Sequence, residues 1–377
     1  MVTPKRAATP EAHASAGGWP PPWRFPLLLL GFVALFIGAG AGLARLGWRM
    51  PELVLAASAM HAPLMVCGFF GTVIALERAV AVGRGWAYPG PLLAGLGGVC
   101  AVFGPASIAA AFFLAGSLVL LAASIDVWRR QSALFTFTLA LGAACWSVGN
   151  GLWLAGWTVP EVVPWWFAFL ILTIAGERLE LSRFMPPAPL ARWLFALVLA
   201  GLVAGLLGLR WPWGVPVFAA AVLALAAWLM KHDIVRRTVR RSGLTRYIAV
   251  CLLAGYVWLA IAGVVMLRAG GLVPATASYD AALHAIALGF VFSMVFGHAP
   301  IIFPAVLRVA VPYHRAFYAP LALLHGSLAL RLAGDAAGRI DWVRLGGLGN
   351  ALALAAFVVF TAGAVVNGWR ARPRAAG

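Results

Sequence analysis

The sequence predicts an all-α protein, a polytopic membrane domain of about 12 transmembrane helices. Three observations carry that prediction. Apolar residues make up 63% of the chain and charged residues 10%, whereas a soluble globular protein is nearer half apolar and a quarter charged. The mean hydropathy is +0.94. The apolar residues also gather in runs of about 20, the length a helix needs to cross a bilayer, and breaks rich in Gly, Pro or charge separate the runs.

The elements follow in chain order. The first 25 residues, MVTPKRAATPEAHASAGGWPPPWRF, are rich in Pro, Ala and Gly and lack an apolar core. They read as a disordered cytoplasmic tail rather than a signal peptide. Residues 26–366 form the spanning domain, and residues 367–377 a basic cytoplasmic tail. The expected spans are Pro26–Gly47, Leu53–Leu76, Tyr88–Phe103, Ala106–Val127, Ser132–Gly156 and Val159–Leu179, followed by Leu190–Leu209, Trp211–Met230, Tyr247–Leu267, Tyr279–Phe303, Ala316–Leu332 and Val343–Val366. The stretch Tyr88–Val127 is too long for one helix, and Gly104-Pro105 is its natural break.

Loop charge predicts the orientation. With the N-terminus inside, 21 of the 28 Lys and Arg residues fall on cytoplasmic segments and 7 on the other side. That bias suits an even number of spans, both termini in the cytoplasm, and a bacterial inner membrane. The net charge of +17 needs no nucleic acid to explain it. The run Lys231–Arg246 (KHDIVRRTVRRSGLTR) reads as a cytoplasmic loop facing anionic lipid, worth roughly 1 kcal/mol per charge near the surface. Cys67, Cys100, Cys145 and Cys251 lie in spans, far apart and without a Cys-x-x-Cys pair, so they read as small hydrophobes. The Gly38–Gly42 cluster reads as helix packing, and many of the tryptophans as the aromatic belt.

Polar residues inside the spans are the candidates for chemistry, because an unsatisfied polar group in hydrocarbon is costly. Four of the seven histidines sit in apolar segments: His61, His284, His298 and His325. Helix two carries His61 in Ala59-Met-His61-Ala-Pro-Leu-Met-Val-Cys-Gly68-Phe-Phe-Gly71, and helix ten carries His284 and His298 in Asp280-Ala-Ala-Leu-His284-Ala-Ile-Ala-Leu-Gly289-Phe-Val-Phe-Ser293-Met-Val-Phe-Gly297-His298. His61 and His284 both enter from the outer side and are expected at one level, with Gly68, Gly71 and Gly289 leaving open surface below them. That pattern fits a bis-histidine haem between helices. It fits equally a pair of packing histidines bonded to carbonyls or hydroxyls, and a metal ion or proton relay is a further reading. His284 and His298 are 14 residues apart, about 21 Å along an α-helix and nearly in phase. A second polar layer closes helices two, six and ten: Glu77-Arg78, Glu177-Arg178 with Glu180 and Arg183, and His298. It reads as interfacial Glu–Arg pairing or as a proton route through Glu77 and Glu177 toward His298 and His325. Spans two, six and ten are four apart, which suggests three four-helix arcs.

The segment from His284 to Gly297 resembles helix ten of the haem-copper oxidase and nitric oxide reductase catalytic subunits, where a His-x-His pair precedes a similar Gly-rich stretch. The segment from His61 to Gly71 resembles their second helix, whose His-Gly-x-x-Met segment carries the other low-spin haem ligand. In size and layout the chain resembles the NnrS family, twelve-span membrane proteins linked to nitric oxide stress. The resemblance implies haem b with His61 and His284 as iron ligands, and His298 and His325 for a second haem or metal. It implies electron transfer or a nitric-oxide-related stress response, with an electron donor or respiratory complex as partner beside membrane lipid. Two departures exclude an oxygen-reducing oxidase by that comparison. Ala282 stands where the high-spin haem ligand would be, and Trp165–Leu181 and Leu190–Leu209 contain no histidine for copper. The alternative expectation is a proton-coupled transporter without haem that uses Glu77, Glu177 and His298. A haem-free structural partner of a respiratory complex is the third.

Overall fold

The computed structural model describes residues 18–181 and 188–370, which form helices and turns with no strand among them. Twelve helices are long and apolar enough to cross a membrane. They are α1 (Pro21–Arg45), α2 (Pro63–Val82), α3 (Gly85–Phe103), α4 (Ala106–Arg130), α5 (Leu134–Leu154), α6 (Val159–Leu181), α7 (Pro189–Leu207), α8 (Gly214–His232), α9 (Gly243–Ala269), α10 (Ala277–Leu307), α11 (Arg315–Ala337) and α12 (Ile340–Gly368). Both the start of α1 and the end of α12 lie at one face of the bundle, here termed the terminal face.

Most boundaries have a local cause. The break at Gly104-Pro105 is real: α3 stops at Phe103, Gly104 is extended, and Pro105 caps α4. Proline cannot continue a helix as a donor and is well tolerated at a helix start. The second span departs from Leu53–Leu76. A short helix at Glu52–Ala56 and a 3-10 turn at Ser58–Met60 precede it, and α2 then runs to Val82, where Gly83 ends it at φ +67°. That left-handed cap favours glycine. The expected disordered tail also shortens. Residues 1–17 lie outside the described residues, but α1 begins at Pro21, Trp19 stacks on Tyr88 at 4.8 Å, and Arg24 is buried. Arg24 donates to the carbonyls of Trp19 and Val306, which ties the start of α1 to the end of α10. The basic tail from residue 371 onward lies outside the described residues.

The centre of the bundle is built from α2, α6 and α10, which contact one another. Their apolar windows are the most buried of the twelve, at 61%, 83% and 67%. Each is the second helix of a run of four, so the four-span interval read from the sequence appears as a shared inner core. A polar hub holds part of that core. Asn150 on α5 accepts from Trp166 Nε1 at 3.0 Å and donates to the Phe113 carbonyl at 3.1 Å. The Cys67 thiol donates to the same Asn150 oxygen, and Trp146 donates to the Cys67 sulfur. Apolar helices gain little from burial against each other in lipid, so satisfied interhelical hydrogen bonds of this kind carry specificity. All four cysteines are free thiols.

Candidate functional site

Two inner helices share an unusual backbone. Immediately after His61, residues Pro63–Phe70 form a π-helix, and immediately after His284, residues Ala285–Phe292 form another. π-Helical turns are rare and concentrate at functional sites. Each stretch ends in a phenylalanine layer, where Phe69 and Phe70 meet Phe292 at 5.9 and 5.0 Å. Above that layer the structure brings His61 and His284 together, with ring centres 6.4 Å apart and planes 17° from parallel.

The hydrogen bonds fix both tautomers. His61 Nδ1 faces the Gly38 carbonyl at 2.7 Å, and His284 Nδ1 faces the Asp280 carbonyl at 2.9 Å. A carbonyl can only accept, so each Nδ1 carries the proton and donates. In a neutral ring each Nε2 then carries the lone pair, and neither Nε2 has a hydrogen-bond partner among the described residues. A carbonyl or carboxylate on one imidazole nitrogen, with the other free, is the usual support of a metal-ligating histidine. His284 has the fuller support: the Asp280 carboxylate lies 3.2 Å from its Nδ1, and Arg331 grips that carboxylate through two bonds of 2.7 Å.

Room for His61 comes from α1. A Cβ on Gly42 would sit 2.8 Å from the His61 ring, so the small-residue cluster of α1 seats the imidazole as well as packing helices. The glycines expected to leave a slot below the histidines do something else. A Cβ on Gly68 would meet Ala34 at 2.9 Å, one on Gly71 would meet Trp146 at 2.3 Å, and one on Gly289 would meet Trp258 at 2.3 Å. These three faces are filled by neighbouring helices, which corrects the expected open surface.

His298 and His325 are not brought together. His298 Nδ1 donates to the Met294 carbonyl at 2.7 Å, and its Nε2 accepts from Arg178 at 3.3 Å. His325 Nδ1 accepts from Trp258 at 2.9 Å, while its Nε2 lies 3.3 Å from Ser293 Oγ, which donates onward to the Cys251 carbonyl. Both nitrogens of each ring are thus committed to separate partners. The expected in-phase stacking of His284 over His298 also fails. The intervening π-helix turns less per residue than an α-helix, and the two rings end against different neighbours.

Arg178 belongs to a buried network missed in the sequence. Its guanidinium forms two bonds to Asp233, at 2.8 and 3.0 Å, with both side chains at most 5% exposed. Tyr256 donates to the same carboxylate, and so does the backbone N–H of Val235. Asp233 sits in the basic run assigned to a lipid-facing loop, and its charge sign among arginines was the available clue. Arg178 was expected to pair with glutamate at an interface. The structure pairs it instead with an aspartate that enters from the end of α8.

Glu77 and Glu177 line one cavity of about 570 Å³, together with His298. Neither carboxyl has a hydrogen bond or ion pair among the described residues. The rest of the wall is almost wholly apolar and is supplied by α1, α2, α6, α10 and α12. Among the described residues no three His, Cys, Asp or Glu side chains cluster as a metal site.

A family model described as "Domain of unknown function (DUF8744)" matches residues 24–366, and its description names neither haem nor nitric oxide. No curated protein and no solved structure matches the chain.

Proposed function

The chain belongs to this family, and from that premise we propose that it is a b-type haem protein of the bacterial inner membrane, with His61 and His284 as the iron ligands. One observation carries the reading: two near-parallel imidazoles, 6.4 Å apart, each with Nδ1–H tied to a carbonyl and Nε2 free. An ion held between two imidazole nitrogens at about 2.0 Å each leaves the ring centres a little over about 6 Å apart. The two nitrogen donors therefore suit an iron ion, and the macrocycle around it would have to lie elsewhere than against Gly68, Gly71 and Gly289, whose faces are filled. Bound there, a bis-imidazole iron would supply one-electron transfer.

The protein's own residues set the terms of that chemistry. Gly38 and Gly42 hold His61 in one orientation, and the Arg331–Asp280 pair holds His284 in one tautomer. Two nitrogen ligands leave no position for a gas, so passage of electrons fits better than capture of nitric oxide. The partner of this reading is an electron donor or a respiratory complex, and the positive bias of the terminal side supports a cytoplasmic position for both termini.

The test is a reduced-minus-oxidised absorbance spectrum of the purified protein with pyridine haemochrome quantification. Sharp α and Soret bands are expected. His61→Ala and His284→Ala each abolish them while membrane insertion persists, and Glu77→Gln does not. A featureless spectrum after expression with ample haem removes the reading, and proton-coupled transport through Glu77 and Glu177 then leads.

A further inference from the structure

The cavity holding Glu77 and Glu177 opens sideways. Phe25, Leu29 and Phe36 on α1 and Val366 on α12 line it and are also 57%, 51%, 48% and 44% exposed on the outer surface. Its mouth is therefore a lateral cleft between the first and last spans, at the level of the hydrocarbon. Its inner end carries the two unpartnered carboxyls and His298. A separate observation points to a ligand. Thr361 on α12 also lines the cavity, is only 6% exposed, and its hydroxyl has no hydrogen-bond partner among the described residues. Buried hydroxyls are nearly always bonded. Of the buried polar atoms left without a partner among the described residues, this is one that belongs to a residue of the cavity wall.

We infer that the cleft binds a neutral, lipid-soluble hydroquinone: an aromatic ring with two hydroxyl donors and an apolar chain. Four features select that chemistry. The mouth faces acyl chains, so a fixed charge crosses it only at high cost and a neutral head does not. The inner end offers carboxyl oxygens, which accept the hydrogen bonds that phenolic hydroxyls donate. The walls are rich in phenylalanine, among them Phe25, Phe32, Phe36 and Phe303, whose rings offer a flat aromatic head offset or edge contacts. The outer apolar part suits the chain. A plain acyl tail would fill the same apolar volume but leave Glu77, Glu177 and Thr361 unmatched. The inference does not depend on haem, since His61 and His284 lie beyond the phenylalanine layer and do not line the cleft.

The experiment is equilibrium binding of 2,3-dimethoxy-5-methyl-6-decylhydroquinone and of its oxidised quinone. The full chain is held in lipid nanodiscs without oxygen. The hydroquinone is expected to bind about tenfold tighter than the quinone, and Glu177→Gln and Thr361→Val each to remove about tenfold of that affinity. Ala362→Trp, at the exposed rim of the cleft, abolishes binding of both forms and checks the site without touching the core. His61→Ala leaves hydroquinone binding unchanged, so a failure of the haem assignment and a failure of this one are seen separately. Equal binding of both forms, indifferent to Glu177→Gln, would make the cleft an acyl-chain groove and overturn the inference. So would absence of binding, or displacement of the hydroquinone by dodecyltrimethylammonium at lower concentration.

Discussion

Single residues decide how much of each buried charge is tolerated. Arg178 and Asp233 sit in the interior because each satisfies the other, with Tyr256 and the Val235 N–H taking up the remaining acceptor capacity. Removing one partner strands a buried charge, which costs about 3–5 kcal/mol. Asp233→Asn is therefore expected to lower the unfolding free energy by that amount in detergent, read from a denaturant midpoint. The double change Arg178→Met with Asp233→Leu is expected to restore most of it, since apolar replacement of a whole buried pair is often neutral. Gly42 shows the opposite sensitivity, to size instead of charge. Its missing side chain is the seat of the His61 ring, so Gly42→Ala displaces that imidazole from Gly38 and His284. Haem affinity is expected to fall about tenfold, as it does when a ligand's support is lost. Gly326→Ala, where an added Cβ meets nothing within 4 Å, leaves the haemochrome yield unchanged. Arg24, Arg178 and Arg331, counted among the loop charges that set topology, are buried struts with bonded guanidiniums.

At the level of elements, the number and order of the spans were legible, since length and hydropathy fix whether a segment can cross a bilayer. The Gly104-Pro105 break was legible for the same reason that proline is a poor helix continuer. The π-helices were not. Nothing in PLMVCGFF or AIALGFVF differs in polarity from its neighbours. The level shared by His61 and His284 survived because both lie before the irregular stretch. The phase of His298 relative to His284 did not, because an α-helical extrapolation was carried across it. A deletion tests the point. Removing Ala287 returns the stretch toward α-helix and rotates the halves of α10 by about 100°. The half beyond Ser293 is held by Arg178 and by the Ser293 bonds to Cys251 and His325, so His284 turns away from His61. The expected result is a folded, monodisperse protein on size exclusion with no haem bands.

For the whole molecule, the even span count and the three-to-one bias of basic residues lead to one arrangement across the bilayer. A green fluorescent protein fused after Gly377 is expected to fluoresce, and alkaline phosphatase fused at Gly271, between α9 and α10, to be active. The reverse pattern would invert every assignment of side. The centre of the molecule was foreshadowed by the four-span interval of Glu77, Glu177 and His298, although the sequence could not say that these groups share one cavity. Its walls come from α1, α2, α6, α10 and α12, so it draws on both ends of the chain and is narrowed to a cleft by the last helix to be made. During synthesis α1, α2, α6 and α10 are in the membrane before Ile340 has left the ribosome. Until α12 docks, Glu77 and Glu177 look out on acyl chains, an exposure the bilayer penalises. A chain that stops short therefore displays two carboxyls to the lipid. That gives quality-control proteases a chemical mark of incompleteness which the finished protein withdraws to the inner end of a cleft.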